Sequence, residues 1–336
     1  MEQHCILVGD CIASMRTLPD QCAHTCVTSP PYFGLRDYGV DGQMGLEASP
    51  REFIDNLVQV FREVRRVLRD DGTLWVNMGD SYASKPNGPL GGGRHKANAP
   101  HVAIRMAHAR RSSYVPLGFK HKDLMGIPWR LAFALQDDGW YLRQDIIWHK
   151  PNPMPESIKD RCTKAHEYLF MLSKSPRYYF DQAALREPAQ ALNAQGGASR
   201  RNSFSRETKY TNGEHGQGGQ HRSRRDDVKY AETRNKRSVW TVATAGYAGA
   251  HFATFPPDLI RPCILAGAPR GGLVLDPFGG AGTTGLVAMQ EGRKSVLCEL
   301  NPQYTDLARQ RLETAWIEGA SQMDMLLDMG SHIRTG

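Results

Sequence analysis

Between residues 273 and 299 the chain runs Leu-Val-Leu-Asp, then Pro-Phe-Gly-Gly-Ala-Gly, then a helix-length stretch from Thr283 to Glu291, then Lys-Ser-Val-Leu-Cys-Glu. No other stretch restricts the fold as much. A short apolar run stopped by Asp or Gly is a buried strand of a parallel sheet. Glycines between such a strand and a helix let the backbone approach a ligand, and the helix N-terminus offers it free N–H groups. Gly280-Ala281-Gly282-Thr283-Thr284-Gly285 matches G-x-G-x-x-G, and Glu299 ends the next strand, where an acidic side chain accepts hydrogen bonds from ribose hydroxyls. The expectation is an α/β fold with a nucleotide site at the strand ends. Alone, the pattern admits several nucleotide-dependent enzymes and also a tight turn that binds nothing.

The same texture recurs upstream. Cys5-Ile-Leu-Val8 and His24-Thr-Cys-Val-Thr28 are apolar runs closed by Gly9-Asp10 and by Ser29-Pro30-Pro31. Phe53, Leu57, Val60, Phe61, Val64 and Leu68 recur at helical spacing from Pro50 onward. Asp70-Asp71-Gly72 is read as stopping that helix before a strand over 73–78, which makes a β-α-β unit. A helix near 123–137, strands over 141–149 and 167–173, and a last helix from Pro302 to about Ile317 complete the ordered parts. No apolar run reaches the roughly 18 residues of a membrane span. The N-terminus lacks the basic and apolar regions of a secretory signal, so a cytoplasmic protein is expected. The seven cysteines are odd in number and scattered, which suits reduced thiols. Cys22, His24 and Cys26 crowd into one strand with no second pair to complete a tetrahedron, so no metal is expected.

A formal net charge of +7 favours a polyanionic partner, and the placement of the charge is more telling. From Ser81 to Lys122 no Asp or Glu occurs, whereas Lys85, Arg94, Lys96, Arg105, Arg110, Arg111, Lys120 and Lys122 do. From Ala189 to about Arg237 the composition turns to Gly, Ser, Asn, Gln and Arg, with Arg200, Arg201, Arg224 and Arg225 among them. One basic stretch is ordinarily a solvated loop. Two in one chain fit contact with nucleic-acid phosphate, the second as a linker or a recognition insert.

Ser29-Pro30-Pro31-Tyr32 follows a strand, at the edge where α/β sheets keep their chemistry. Two prolines fix the backbone and remove two N–H donors, leaving carbonyls that point in fixed directions. The amino nitrogen of a nucleobase has its lone pair delocalised into the ring and is a poor nucleophile. Acceptors around its N–H bonds, here the Ser29 hydroxyl and the Pro30 carbonyl, favour a pyramidal nitrogen whose lone pair can attack a methyl group in line. Tyr32 offers a face on which a base swung out of the duplex can stack. Neither a covalent intermediate nor a metal is needed, and catalysis rests on positioning and fixed dipoles. A string of this kind is by itself also compatible with an ordinary proline turn.

Together, Ser29 to Tyr32 and Asp276 to Thr284 resemble the (D/N/S)PPY and DPFxGxGTT motifs of the DNA amino-methyltransferases, which modify N4 of cytosine or N6 of adenine. The catalytic motif comes first, similar to the β arrangement of that family. That order is a circular permutation of the usual sheet, tolerated where chain ends lie close together. Segments 63–77, 79–81, 126–130, 146–151 and 250–256 resemble further family segments in the same order.

The resemblance implies a Rossmann-like, circularly permuted sheet dependent on S-adenosyl-L-methionine, with a basic target-recognition insert. Residues 1–184 are then the catalytic half, 185–237 the recognition region, 238–318 the cofactor half and 319–336 a tail. Ser29, Pro30, Pro31 and Tyr32 are the implied catalytic residues. Asp10, His251, Thr254, Phe255, Asp276, Phe278, Gly279, Gly280, Gly282, Thr283, Thr284 and Glu299 are the implied cofactor residues. Double-stranded DNA is the implied substrate, with Arg94, Lys96, Arg110, Arg111, Arg200, Arg201, Arg224 and Arg225 expected at its phosphates. The serine leans towards cytosine N4, with adenine N6 close behind. Family members often pair as homodimers, and a restriction endonuclease partner is left open.

Two alternatives stand beside this reading. An NAD-linked oxidoreductase needs a Tyr-Lys or His-Asp arrangement near the glycine loop, and none is convincing. A non-catalytic DNA-binding protein of the same fold is opposed by the intact Ser29, Tyr32, Phe278 and Glu299. His149 and His166, lone histidines at strand ends, are read as structural rather than as proton carriers. Trp148 either lines the pocket or packs in the core.

Overall fold

A computed structural model of the protein describes residues 3–35, 39–83, 115–116, 118–188, 233–244 and 255–332. The chain divides into two units, one of Met1–Leu185 with Arg237–Gly336 and one of Arg186–Lys236. In chain order the strands are β1 (His4–Val8), β2 (Ala23–Thr28), β3 (Leu68–Met78), β4 (Tyr141–His149), β5 (His166–Ser173), β6 (Glu187–Pro188), β7 (Thr233–Arg234), β8 (Val239–Thr241), β9 (Leu273–Asp276) and β10 (Lys294–Glu299). The helices are α1 (Cys11–Arg16), α2 (Pro50–Val67), α3 (Ile127–Asp137), α4 (Pro257–Gly267), α5 (Thr283–Gln290) and α6 (Pro302–His332). The described part of the smaller unit is the antiparallel pair β6 and β7, joined by an Arg234–Glu187 ion pair at 3.0 Å.

The larger unit holds one sheet in the order β1-β10-β9-β2-β3-β5-β4-β8. Every pairing in it is parallel except the two that β5 makes. The chain leaves β9 in one direction, towards β10 with β1 beyond it, and leaves β2 in the other, towards β3. Strand order therefore reverses between β9 and β2, and a crevice opens at such a point in open α/β sheets. β1 lies against β10 with Val8 opposite Glu299, as the permuted order implies.

Residues alternate between the two faces of the sheet, and each face is covered. Cys26, Leu74 and Val76 pack with Phe53, Leu57, Phe61 and Val64 of α2 and Leu131 and Leu135 of α3. Val27 and Trp75 point the other way, to Leu259, Ile260 and Ile264 of α4 and Val287 of α5. Phe53 and Phe61 are fully buried, so truncating either to alanine costs about 3–5 kcal/mol. Trp148 belongs to the second core, where its indole N–H donates to the Val242 carbonyl at 2.8 Å. His24 accepts from the Leu273 amide at 3.0 Å, a bridge between β2 and β9, and His149 bonds Thr241 at 3.1 Å.

Helix α2 starts where Ser49 accepts from the Glu52 amide at 3.2 Å and Glu52 reaches back to the Ala48 amide at 3.2 Å. It stops at Val67, because Leu68 is already extended and begins β3. Asp70-Asp71-Gly72 thus lies inside a strand, at a register shift against β2, instead of ending the helix. Only glycine fits there, since a Cβ on Gly72 meets the Arg69 carbonyl at 2.9 Å. Helix α6 continues to His332 and does not end near Ile317. The added turns carry three Met and two Leu, good helix formers, and no proline. Among the described residues no helix is long and apolar enough to cross a membrane.

Candidate active site

Strands β2 and β9 are neighbours in the sheet although their tips lie 248 residues apart in the chain. A cleft of about 190 Å³ opens above them. Ser29, Pro30, Pro31 and Tyr32 line one side, and Phe278, Gly279, Gly280 and Thr283 the other. Asp10, Phe255, Glu299 and Tyr304 complete the wall.

The glycine loop is folded tightly onto β10. Gly279 donates to the Cys298 carbonyl at 2.8 Å, and a Cβ on it falls 2.9 Å from that of Leu297. Gly282 has φ +78° and caps α5, and a Cβ there meets that of Ala308 on α6 at 2.9 Å. Glu299 accepts from the Gly280 amide at 2.7 Å and the Asn301 amide at 2.8 Å. Burial pushes its carboxyl above the ordinary glutamate value, although these amides pull the other way. Its remaining lone pairs are available at the cleft.

Asp276 behaves differently. Thr28 donates to one of its oxygens at 2.6 Å, Thr284 to the other at 2.6 Å, and the Phe278 amide at 3.0 Å. It is fully buried and burial raises its carboxyl, so it pins the tips of β2 and β9 to the first turn of α5. Asp276, Gly282 and Thr284 stand behind the cleft and do not line it. Thr283 does line it, and accepts from Arg311 at 2.9 Å. Asp10 caps α1 through the Ala13 amide at 2.8 Å and sits at the cleft mouth with Gly9, whose amide donates to the Glu299 carbonyl at 2.9 Å. His251, Thr254, Arg94, Lys96, Arg110, Arg111, Arg200, Arg201, Arg224 and Arg225 lie outside the described residues.

On the catalytic side, Tyr32 is half-buried with its hydroxyl inside a polar network. The phenol donates to Glu167 at 2.6 Å and lies 3.3 Å from the Asn77 amide oxygen. Burial pushes the phenol well above its usual range and the Glu167 charge adds to this, so it stays protonated. Asn77 donates to Glu167 at 3.2 Å and to the Tyr168 carbonyl at 3.1 Å, and Ser29 lies 3.4 Å from its amide oxygen. Lys150 pairs with the other Glu167 oxygen and sits 4.2 Å over the Trp148 ring. The Tyr32 ring lies against the Gly79 backbone, where a Cβ falls 2.6 Å from its edge. Sequence reasoning missed Asn77, Glu167 and Tyr304, and it assigned Lys150 no part. Position at the C-terminal end of β3 and the N-terminal end of the antiparallel β5, one sheet edge, is the signal that points to the first two.

A reversed strand order, a glycine loop that begins at a buried acid, and a Ser-Pro-Pro-Tyr turn facing it define a Rossmann-like methyltransferase. The sequence profile of the N6/N4 DNA methylase family matches residues 23–310. The type II methyltransferase M.Cfr9I of Citrobacter freundii is 49% identical over 305 residues, 91% of this chain and 86% of that protein. Among solved structures, the PvuII DNA methyltransferase (cytosine-N4-specific) superimposes with a TM-score of 0.58 at 19% identity, over 91% of this chain and 85% of that one. TTHA0409 of Thermus thermophilus, in complex with S-adenosyl-L-methionine, gives 0.54 at 22%, over 93% and 95%. The chain belongs to the N6/N4 DNA methylase family: it is a DNA methyltransferase that uses S-adenosyl-L-methionine. The oxidoreductase and the non-catalytic binder are thereby set aside.

Proposed function

We propose that the cleft methylates the N4 amino group of a cytosine flipped out of double-stranded DNA, with Ser29, Pro30 and Tyr32 acting on the base. One observation carries this reading: the Ser29–Tyr32 turn and the glycine loop open into the same cleft. The cleft suits the cofactor. Glu299 and Asp10 provide carboxylates for ribose hydroxyls, Phe255, Phe278 and Tyr304 apolar walls for the purine and the methionine chain, and Gly279 and Gly280 a close backbone. When bound, S-adenosyl-L-methionine supplies an electrophilic methyl group on its sulfonium sulfur. Tyr32 stacks on the base, and the Ser29 hydroxyl and Pro30 carbonyl accept from its amino N–H groups. The nitrogen lone pair is thereby directed out of the ring plane, and after transfer the cationic product nitrogen loses its extra proton to solvent water. The lean to cytosine rests on serine at the first position of the motif.

The unit Arg186–Lys236 is assigned to target recognition, its arginines to phosphate and its Asn and Gln side chains to base edges. We place the protein in the cytoplasm, within a restriction–modification setting that the type II designation of the Citrobacter relative supports. Homodimerisation is implied by the resemblance alone, and sedimentation with and without duplex DNA tests it.

The deciding experiment is mass spectrometry of nucleosides from DNA incubated with the protein and isotopically labelled S-adenosyl-L-methionine. Labelled N4-methylcytosine is expected. Labelled N6-methyladenine corrects the base, and no labelled base with cofactor bound refutes the DNA reading. Tyr32→Ala is expected to abolish transfer while S-adenosylhomocysteine still binds. Retained activity removes Tyr32 from the mechanism.

A further inference from the structure

The network behind the catalytic turn has a direction. Glu167, as a carboxylate, accepts only, and one of its oxygens pairs with Lys150. Its other oxygen accepts from the Tyr32 hydroxyl at 2.6 Å and from the Asn77 amide nitrogen at 3.2 Å. The second amide proton of Asn77 goes to the Tyr168 carbonyl at 3.1 Å. Both partners of the Asn77 nitrogen are pure acceptors, so its orientation follows from chemistry. The Asn77 oxygen must face Ser29 and Tyr32.

A serine hydroxyl has one proton. The groups beside Ser29 on the network side are the Asn77 oxygen, 3.4 Å away, and the Tyr32 oxygen, whose own hydrogen bond is donated to Glu167. Both accept. The Ser29 proton is therefore turned inward, and only lone pairs face the cleft.

We propose that Lys150, Glu167 and Asn77 form a polarity relay that makes Ser29 an obligate acceptor towards the base, so that the site selects an amino N–H over a keto oxygen. This rests on the assignment of Ser29 above. Glu167 and Asn77 are positioning residues. A base presenting oxygen in place of the amino group meets lone pairs with lone pairs, and loses the contact.

The test uses the full chain and a duplex carrying the methylation site mapped by labelling. Its competitor is the same duplex with the target amino group replaced by oxygen, uracil for cytosine or hypoxanthine for adenine. Inhibition constants give an amino-to-keto preference for each variant. The cost of flipping each base is common to all variants, so a change in preference isolates the Ser29 contact.

Glu167→Gln gives Asn77 a donor and lets its amide turn over. Asn77→Ala removes the inward acceptor while leaving the Lys150–Glu167–Tyr32 chain intact. Both are expected to lower the preference by about fivefold, the worth of one neutral hydrogen bond. Affinity for S-adenosylhomocysteine is expected to stay within about twofold, because none of the three lines the cofactor cleft. An unchanged preference in either variant that still binds cofactor overturns the relay. Loss of cofactor binding in both also overturns it, since the trio then holds the fold and not the polarity. Ser29→Ala separates the two levels. If it keeps wild-type rate and preference, the role of Ser29 itself fails. If it alone loses the preference, Ser29 stands and the relay falls.

Discussion

Gly79 does not line the cleft, yet its replacement by alanine is expected to be severe. An ideal Cβ at this position falls 2.6 Å from Tyr32 Cε2 and 3.2 Å from both Cδ2 and Cζ. Carbon atoms in contact keep about 3.5–4.0 Å, so the ring must retreat by about 1 Å. It cannot tilt freely, because its hydroxyl is tied to Glu167 at 2.6 Å. Gly79 has no positive φ, so backbone strain does not enter and the effect runs through Tyr32 alone. A misplacement of about 1 Å at a reacting centre costs about a hundredfold in rate. The overpacking itself destabilises by about 1–3 kcal/mol. Gly79→Ala is therefore expected to lower kcat about a hundredfold, with S-adenosylhomocysteine affinity within about twofold of wild type. The assay is single-turnover transfer of labelled methyl groups at saturating cofactor, with thermal unfolding in parallel. In a Tyr32→Ala background the same substitution should no longer change Tm, because the ring it strikes is gone. A folded Gly79→Ala enzyme with a wild-type rate would refute the argument, as would an unchanged Tm penalty in that background.

Three further substitutions address the cofactor side. Burial raises the Glu299 carboxyl above its ordinary value of 4.5, and the ionised form is the better acceptor for ribose. S-adenosylhomocysteine affinity should thus fall as pH drops through that raised titration, by calorimetry, and Glu299→Gln should flatten the profile. Gly282→Ala places a Cβ at φ +78° and 2.9 Å from Ala308, and should destabilise by about 2 kcal/mol or more in denaturant unfolding. Wild-type stability there would mean that α5 and α6 can part without cost. Asp276→Asn trades an acceptor for a donor among Thr28, Thr284 and the Phe278 amide. It should lower stability by about 1–3 kcal/mol, and a larger effect on cofactor affinity than on stability would return Asp276 to the ligand.

Local signals carried the two motifs and most strands, because a buried strand, a glycine turn and a proline pair are written in consecutive residues. The short elements α1, at six residues, and β8, at three, are too brief for any period to show. The buried partners of Asp276 were hidden for another reason. Its place at a strand tip suits a ligand contact, but Thr28, 248 residues away, claims the side chain. Glu167 was equally hidden, since it meets Tyr32 only because β5 runs antiparallel to β3 and begins at the edge where β3 ends. The helix that ends at Val67 was misjudged by one residue for lack of any sign that Leu68 would turn extended.

The pairing of β2 with β9 has a consequence for how the protein is made. During synthesis the ribosome delivers β1 and β2 early, yet in the finished sheet they are separated by β9 and β10, which emerge near the end. Until then β1 has no strand to pair with, and the border of β2 that will meet β9 is an opening bare of hydrogen-bond partners. Closing it spans roughly the whole polypeptide, which slows folding and leaves the intermediate prone to aggregation. A separately expressed piece carrying β9, α5 and β10 brings the partners that β2 and β1 lack, so the two halves of this enzyme should be able to find each other as independent chains.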